Sequence, residues 1–266
     1  MCLIVEVRQS DTLTFSEVKD WEEANADGWG IAYPYNGVVT VLKGHGLKSL
    51  WRAIQEHKGR AYYLHLRMAT HGSVKEGNTH PYPVTRGVWL LHNGVLDIDT
   101  STSAARSDTW HWIESVLKPL LDSVPDASAA IRTPWFRAMV ELYGGPSNRF
   151  VFIDGQGAVT MNDAAWHTFK GRGMRVSNTY ALGGWVSEMG TSKYPNTSTG
   201  TLSFPQQQTS TFNWNLGGES WELEEDNPTC EDDFRFLIGA EYNQVEDFVY
   251  SHPERAADVL HSLVKG

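Results

Sequence analysis

MCLIVEVR, residues 1–8, sets a cysteine directly in front of a short run of β-branched and apolar side chains. Leu3, Ile4, Val5 and Val7 read as a buried strand, because a short run of this composition suits a pleated, covered surface. Cys2 is one of two cysteines in 266 residues. Cysteine is often a core residue, so Cys2 first reads as part of that packing. Its position offers a second reading. Initiator methionine is commonly trimmed before a small side chain, which would leave Cys2 with a free α-amine beside its own thiol. An α-amine has an intrinsic pKa of about 8 and can serve as a weak base, so such a residue carries its own proton acceptor. The expectation is that Met1 is removed and Cys2 becomes the N-terminus.

Beyond the first strand, GWGIAYPY (28–35), VVTVLKG (38–44), AYYLHLRMAT (61–70) and VWLLHNG (88–94) repeat the same pattern between Gly, Pro and Asn. KSLWRAIQEH (48–57), SDTWHWIESVLKPLLDSV (107–124) and TPWFRAMVELY (133–143) read as amphipathic helices, the second with Ser107 as N-cap. RFVFIDGQGAVTMND (149–163) reads as a hairpin and MRVSNTYAL (174–182) as a further strand. Strands, then helices, then strands indicate a layered α+β body. The expected division is a domain over 2–185, a polar and acidic linker over 186–231, and a helical extension over 232–266.

The chain has 32 acidic and 22 basic side chains. Residues 1–185 hold 18 of each sign, so the net charge of −10 belongs to the last 81 residues. No cluster of Lys and Arg is present to release counterions, which argues against direct nucleic-acid binding. No run approaches the roughly 20 apolar residues of a membrane span, and the N-terminus does not read as a signal peptide. Two cysteines are too few for a disulfide framework, and a cytoplasmic location is expected.

Four histidines, His65, His71, His80 and His92, lack the spacing of a metal site, and neither metal nor cofactor is expected. His92-Asn93-Gly94 reads either as a turn or as a strand end where Asn93 and the Gly94 amide face a developing oxyanion. Arg67, in an apolar run, either pairs with a buried carboxylate or reaches a pocket for an anionic ligand. Asp108 suits the first turn of a helix.

Taken in order, Cys2, Asp27-Gly28-Trp29-Gly30, HLRMATHG (65–72), Asn78-Thr79-His80-Pro81, His92-Asn93-Gly94 and Ser107-Asp108 resemble the class II glutamine amidotransferases of the N-terminal-nucleophile (Ntn) hydrolase superfamily. The resemblance spans about residues 2–185. It implies a four-layer αββα sandwich, here with a C-terminal acidic extension. It also implies Cys2 as nucleophile, Asn93 and Gly94 as the oxyanion hole, and Arg67 and Asp108 as clamps on the substrate's α-carboxylate and α-ammonium. Backbone around Thr70, His71 and Gly72 would line the pocket. The implied substrate is L-glutamine or another γ-glutamyl amide, and a separate ammonia-accepting synthetase is the implied partner. Met68 stands where many synthase-linked members have an aromatic residue, and Ala24-Asn25 where they have Arg-Gly. DGWGIAY is closer to the short stand-alone branch. A non-catalytic binding module of the same fold is the remaining alternative.

Overall fold

The computed structural model describes residues 2–69, 72, 73, 76–168 and 173–182. The chain runs β1 (Leu3–Val7), α1 (Phe15–Ala24), β2 (Trp29–Tyr35), β3 (Val38–Gly44), α2 (Leu47–Glu56) and β4 (Tyr62–Leu66). It continues through β5 (Tyr82–Thr85) and β6 (Val88–Asn93) into α3 (Asp108–Trp112), which passes through a π-helical segment (Ile113–Leu117) into α4 (Lys118–Ser123). Two helices, α5 (Ala127–Ala130) and α6 (Pro134–Gly144), precede β7 (Arg149–Asp154), β8 (Gly157–Met161), β9 (His167–Thr168) and β10 (Arg175–Val176).

Two antiparallel sheets result, one ordered β3-β2-β4-β1-β10-β9 and the other β5-β6-β7-β8. Side chains alternate along each strand, so both faces of each sheet need cover. Leu3, Val5 and Val7 of β1, with Trp29 and Ile31 of β2, pack under Val18 and Trp21 of α1 and Leu50 and Ile54 of α2. Ile4 and Ala32, on the opposite face, meet Leu91, Val151 and Ile153 of the second sheet. The outer face of that sheet offers Leu90, Phe150 and Phe152 to Trp112, Leu117, Phe136 and Val140 of the helical layer. Three cores thus separate four layers, helix–sheet–sheet–helix, the αββα arrangement expected from sequence.

Helix α1 is not among the elements expected from sequence, because few apolar residues mark it. A capping box starts it: Thr14 Oγ1 accepts from Glu17 N at 3.2 Å while Glu17 accepts from Thr14 N at 2.7 Å. The strand expected over 61–70 stops at Leu66, so Arg67 lies just beyond it rather than within it. Of the strand expected over 174–182, only Arg175 and Val176 pair with β1. Beyond them the chain turns, with Leu182 N donating to Thr179 O at 3.1 Å. The expected linker (186–231) and helical extension (232–266) lie outside the described residues.

At one end of the sandwich three imidazoles gather. His65 (on β4) and His80 (before β5) have ring centroids 4.3 Å apart, and His80 and His92 (on β6) are 6.4 Å apart. His65 Nε2 lies 3.2 Å from the His92 carbonyl and donates to it, whereas neither ring nitrogen of His80 meets a partner among the described residues. Burial holds all three below the ordinary histidine range, His65 at about 3. The folded state therefore binds fewer protons than the unfolded chain once pH falls below about 6.5. Stability should be complete above that pH and decline below it. His65, brought down to about 3, accounts for a loss of about 2 kcal/mol between pH 7 and 5, and His80 and His92 act in the same direction. Urea unfolding at the two pH values should show a smaller decline in His80→Gln than in the wild type. An equal decline in both would show that His80 is not held neutral.

Candidate active site

Cys2 sits at the mouth of the sandwich, immediately before β1. Its Sγ is 3.6 Å from the Met68 carbonyl, and its own carbonyl accepts from Asn178 Nδ2 at 2.6 Å. Burial pushes the thiol up. The charge of Arg67 draws it down, while Asp108 pushes it up again. Two side chains far apart in sequence thus act on one sulfur with opposite sign. The thiol rests protonated, and attack on a carbonyl requires a base.

Asn93 ends β6, and its Nδ2 donates to Ser177 Oγ at 2.8 Å. The same oxygen accepts from Ile4 N at 2.8 Å, and Ser177 N donates to Ile4 O at 2.9 Å. One hydroxyl therefore ties Asn93 to the strand that carries Cys2. Gly94 follows with φ +149°, and a Cβ there would stand 1.9 Å from Asn148 Oδ1. Only glycine fits this corner, which leaves its backbone open to a close approach.

Arg67 is 3 % exposed. Its backbone is clamped by the Asp27-Gly28 turn: Arg67 N donates to Gly28 O at 2.8 Å and Asp27 N donates to Arg67 O at 3.0 Å. Asp27 Oδ2 also accepts from Ala69 N at 2.7 Å. The turn, read from sequence as part of a motif, serves here as the brace behind Arg67 and Met68.

Asp108, 6 % exposed, opens α3 behind its N-cap Ser107. Asp108 Oδ2 accepts from Leu96 N and Oδ1 from Thr109 N, each at 2.8 Å. The carboxylate is thus aimed by backbone donors on both oxygens, and each oxygen keeps capacity to accept further. Asn78 joins this element to the loop at Gly72. Its Nδ2 donates to Ser73 O at 2.9 Å and to Ala105 O at 2.7 Å, and its Oδ1 accepts from Ser107 N at 3.3 Å. Gly72 has φ +74°, and a Cβ would be 2.9 Å from Ser107 N. Thr70 and His71 lie outside the described residues.

The motif residues Cys2, Arg67 and Asp108 thus share one electrostatic neighbourhood, with Asn93 and Gly94 linked to it through Ser177. Sequence motifs did not reveal Ser177, Asn178, Asn148 or Thr109, since single polar residues in loops carry no periodic signal. Beside the thiol, Tyr180 donates its hydroxyl to Asn25 Oδ1 and lies 3.7 Å from Met68 Sδ. Asn25 is the C-cap of α1, in the Ala24-Asn25 pair that departs from the family pattern. Among the described residues, no three His, Cys, Asp or Glu side chains are placed to hold a metal ion, and no helix is long and apolar enough to cross a membrane.

The family model for class II glutamine amidotransferases matches residues 2–166. Glutamine–fructose-6-phosphate aminotransferase (isomerizing) of Sulfurisphaera tokodaii is 27% identical over 150 residues, which is 49% of this chain and 26% of that protein. The enzyme of the same name from Xylella fastidiosa is 34% identical over 83 residues, 30% of this chain and 14% of that one. The match therefore spans 26% or less of the length of these relatives. Among solved structures, the glutamine phosphoribosylpyrophosphate amidotransferase of B. subtilis, complexed with ADP and GMP, aligns over 73% of this chain and 46% of its own, with TM-score 0.46 and 15% identity. A glutamine aminotransferase class-II domain protein from Silicibacter pomeroyi covers 66% of this chain and 88% of its own, with TM-score 0.34 and 15% identity. With the family model covering more than half of its residues and the ordered motifs gathered at one site, the chain belongs to the class II glutamine amidotransferases.

Proposed function

We propose that this chain hydrolyses the side-chain amide of glutamine through Cys2, exposed as the N-terminal residue once Met1 is removed. The observation that carries the reading is the placement of the thiol within the fields of both Arg67 and Asp108. A guanidinium and a carboxylate that both act on one thiol match the α-carboxylate and α-ammonium of a free amino-acid end. The α-amine of Cys2 takes the thiol proton as sulfur bonds to the amide carbon. Charge then develops on the amide oxygen, facing the Asn93 side-chain amide and the Gly94 N–H. Collapse breaks the C–N bond, the α-ammonium returns the proton to the leaving nitrogen, and ammonia departs from a γ-glutamyl thioester. Water, deprotonated by the same amine, attacks the thioester and releases glutamate and the thiol.

Ammonia so formed is suited to an acceptor enzyme on a separate chain, with residues 2–185 as the amidotransferase domain and the acidic stretches 186–231 and 232–266 as the docking element. A second reading, a hydrolase of larger γ-glutamyl amides, draws on Met68 and Tyr180, which stand 39 % and 44 % exposed beside the thiol. These two side chains offer a partly apolar wall that ammonia does not need.

Ammonia and glutamate release from glutamine test the proposal. Cys2→Ala should abolish turnover. Arg67→Lys and Asp108→Asn should each raise KM by about 10- to 100-fold, the worth of one charged hydrogen-bonded contact. Inertness toward glutamine with turnover of N-substituted γ-glutamyl amides would favour the second reading. Unchanged KM in both clamp variants would remove the assignment of the amino-acid end.

A further inference from the structure

Asn148 lies in the loop between α6 and β7, outside every motif, and its side chain grips both flanks of the Asn93-Gly94 corner. Its Nδ2 donates to Val95 O at 3.1 Å and also to Gly144 O. Two carbonyl acceptors fix the orientation of the amide, so the atom 2.7 Å from His92 Nε2 is the carbonyl oxygen Oδ1. An amide oxygen only accepts, so Nε2 carries the proton. Burial, the largest influence on His92, keeps its ring neutral against the pull of Asp108 and Asn148. Nδ1 is then a bare lone pair, and the Thr109 hydroxyl 2.8 Å away donates to it. Thr109 N in turn donates to Asp108 Oδ1 at 2.8 Å. The His92 ring is stacked on Phe150 with centroids 4.7 Å apart, so it has little room to turn.

We propose that Asn148 is a positioning residue for the oxyanion corner, and that it couples this corner to the Asp108 clamp through the Nε2–H tautomer of His92 and the Thr109 hydroxyl. The proposal rests on the oxyanion role given above to Asn93 and Gly94. It explains why a polar chain, Asp108–Thr109–His92–Asn148, runs through a buried layer where apolar packing would suffice. Each buried donor and acceptor along it is costly to leave unmade, so the chain has one satisfied arrangement. That arrangement holds Gly94 against Asn148 before any substrate arrives, and a preset donor geometry is what an oxyanion hole requires.

The test separates positioning from bulk stability. Asn148→Ala should lower kcat for glutamine about 30- to 100-fold while KM stays within about threefold, as expected for misplaced transition-state donors. Thr109→Val, which keeps the shape and removes the hydroxyl, should lower kcat about tenfold, and Thr109→Ser should restore it to within about twofold. Long-range proton–nitrogen spectra of histidine-labelled wild type should show His92 with a protonated Nε2 and a bare Nδ1 throughout pH 6–8. If Asn148→Ala does not fold, the Thr109 pair and the spectrum decide. An Nδ1–H tautomer, or full kcat in a folded Thr109→Val, would overturn the inference while leaving glutamine hydrolysis by the wild type intact. A wild type inert toward every γ-glutamyl amide would instead sink the functional reading, and with it the catalytic role of Asn148.

Discussion

Strand β1 is covered on both faces and hydrogen-bonded on both edges, and the site depends on that constraint. It lies between β4 and β10, with Leu3 opposite Leu66 and Val5 opposite Val176. Leu3, Ile4 and Val5 are fully buried. A strand held this way cannot slip by one residue without exchanging its two apolar faces, so the position of Cys2 is fixed by packing rather than by local contacts. The pairing also brings the end of β4, and therefore Arg67 and Met68, to the residue that bears the thiol. The third component arrives from the other sheet, because the Ser177 hydroxyl accepts from both Ile4 N and Asn93 Nδ2.

Electrostatics at the site follow from the same architecture. A thiol placed at the edge of a core is desolvated, and burial dominates over the nearby guanidinium. Such a cysteine is a poor nucleophile unless a base stands within reach. His65, His80 and His92 are the obvious bases by composition, yet the fold buries them neutral and uses His65 and His92 in hydrogen bonds to the His92 carbonyl, Thr109 and Asn148. What remains is the amine that removal of Met1 would uncover on Cys2 itself. The histidines are then structural, and in the function proposed above the proton transfer falls to that amine.

Much of this was legible in the sequence. Strands β1, β2 and β6 read as apolar runs because most of their residues are buried, and the ordered motifs mark Cys2, Arg67, Asn93, Gly94 and Asp108. Less visible were elements fixed by tertiary contacts. The expected strand ended early at Leu66 because the Asp27-Gly28 turn takes over the backbone hydrogen bonds of Arg67. Helix α1 hides because Val18 and Trp21 are the chief apolar side chains it buries, although Thr14 and Glu17 spell a capping box. Ser177 and Asn148 are single polar residues whose importance comes from the atoms they meet across more than 50 residues of sequence. Periodicity cannot report such pairings.

The proposed function stands on Cys2 acting as an N-terminal nucleophile beside Arg67 and Asp108. The most direct test is the intact mass of the purified protein before and after treatment with a glutamine-mimicking diazoketone. Loss of Met1 and a single adduct that maps to Cys2, absent in Cys2→Ala, is the expected result. A protein that retains Met1 and takes up no adduct would contradict it.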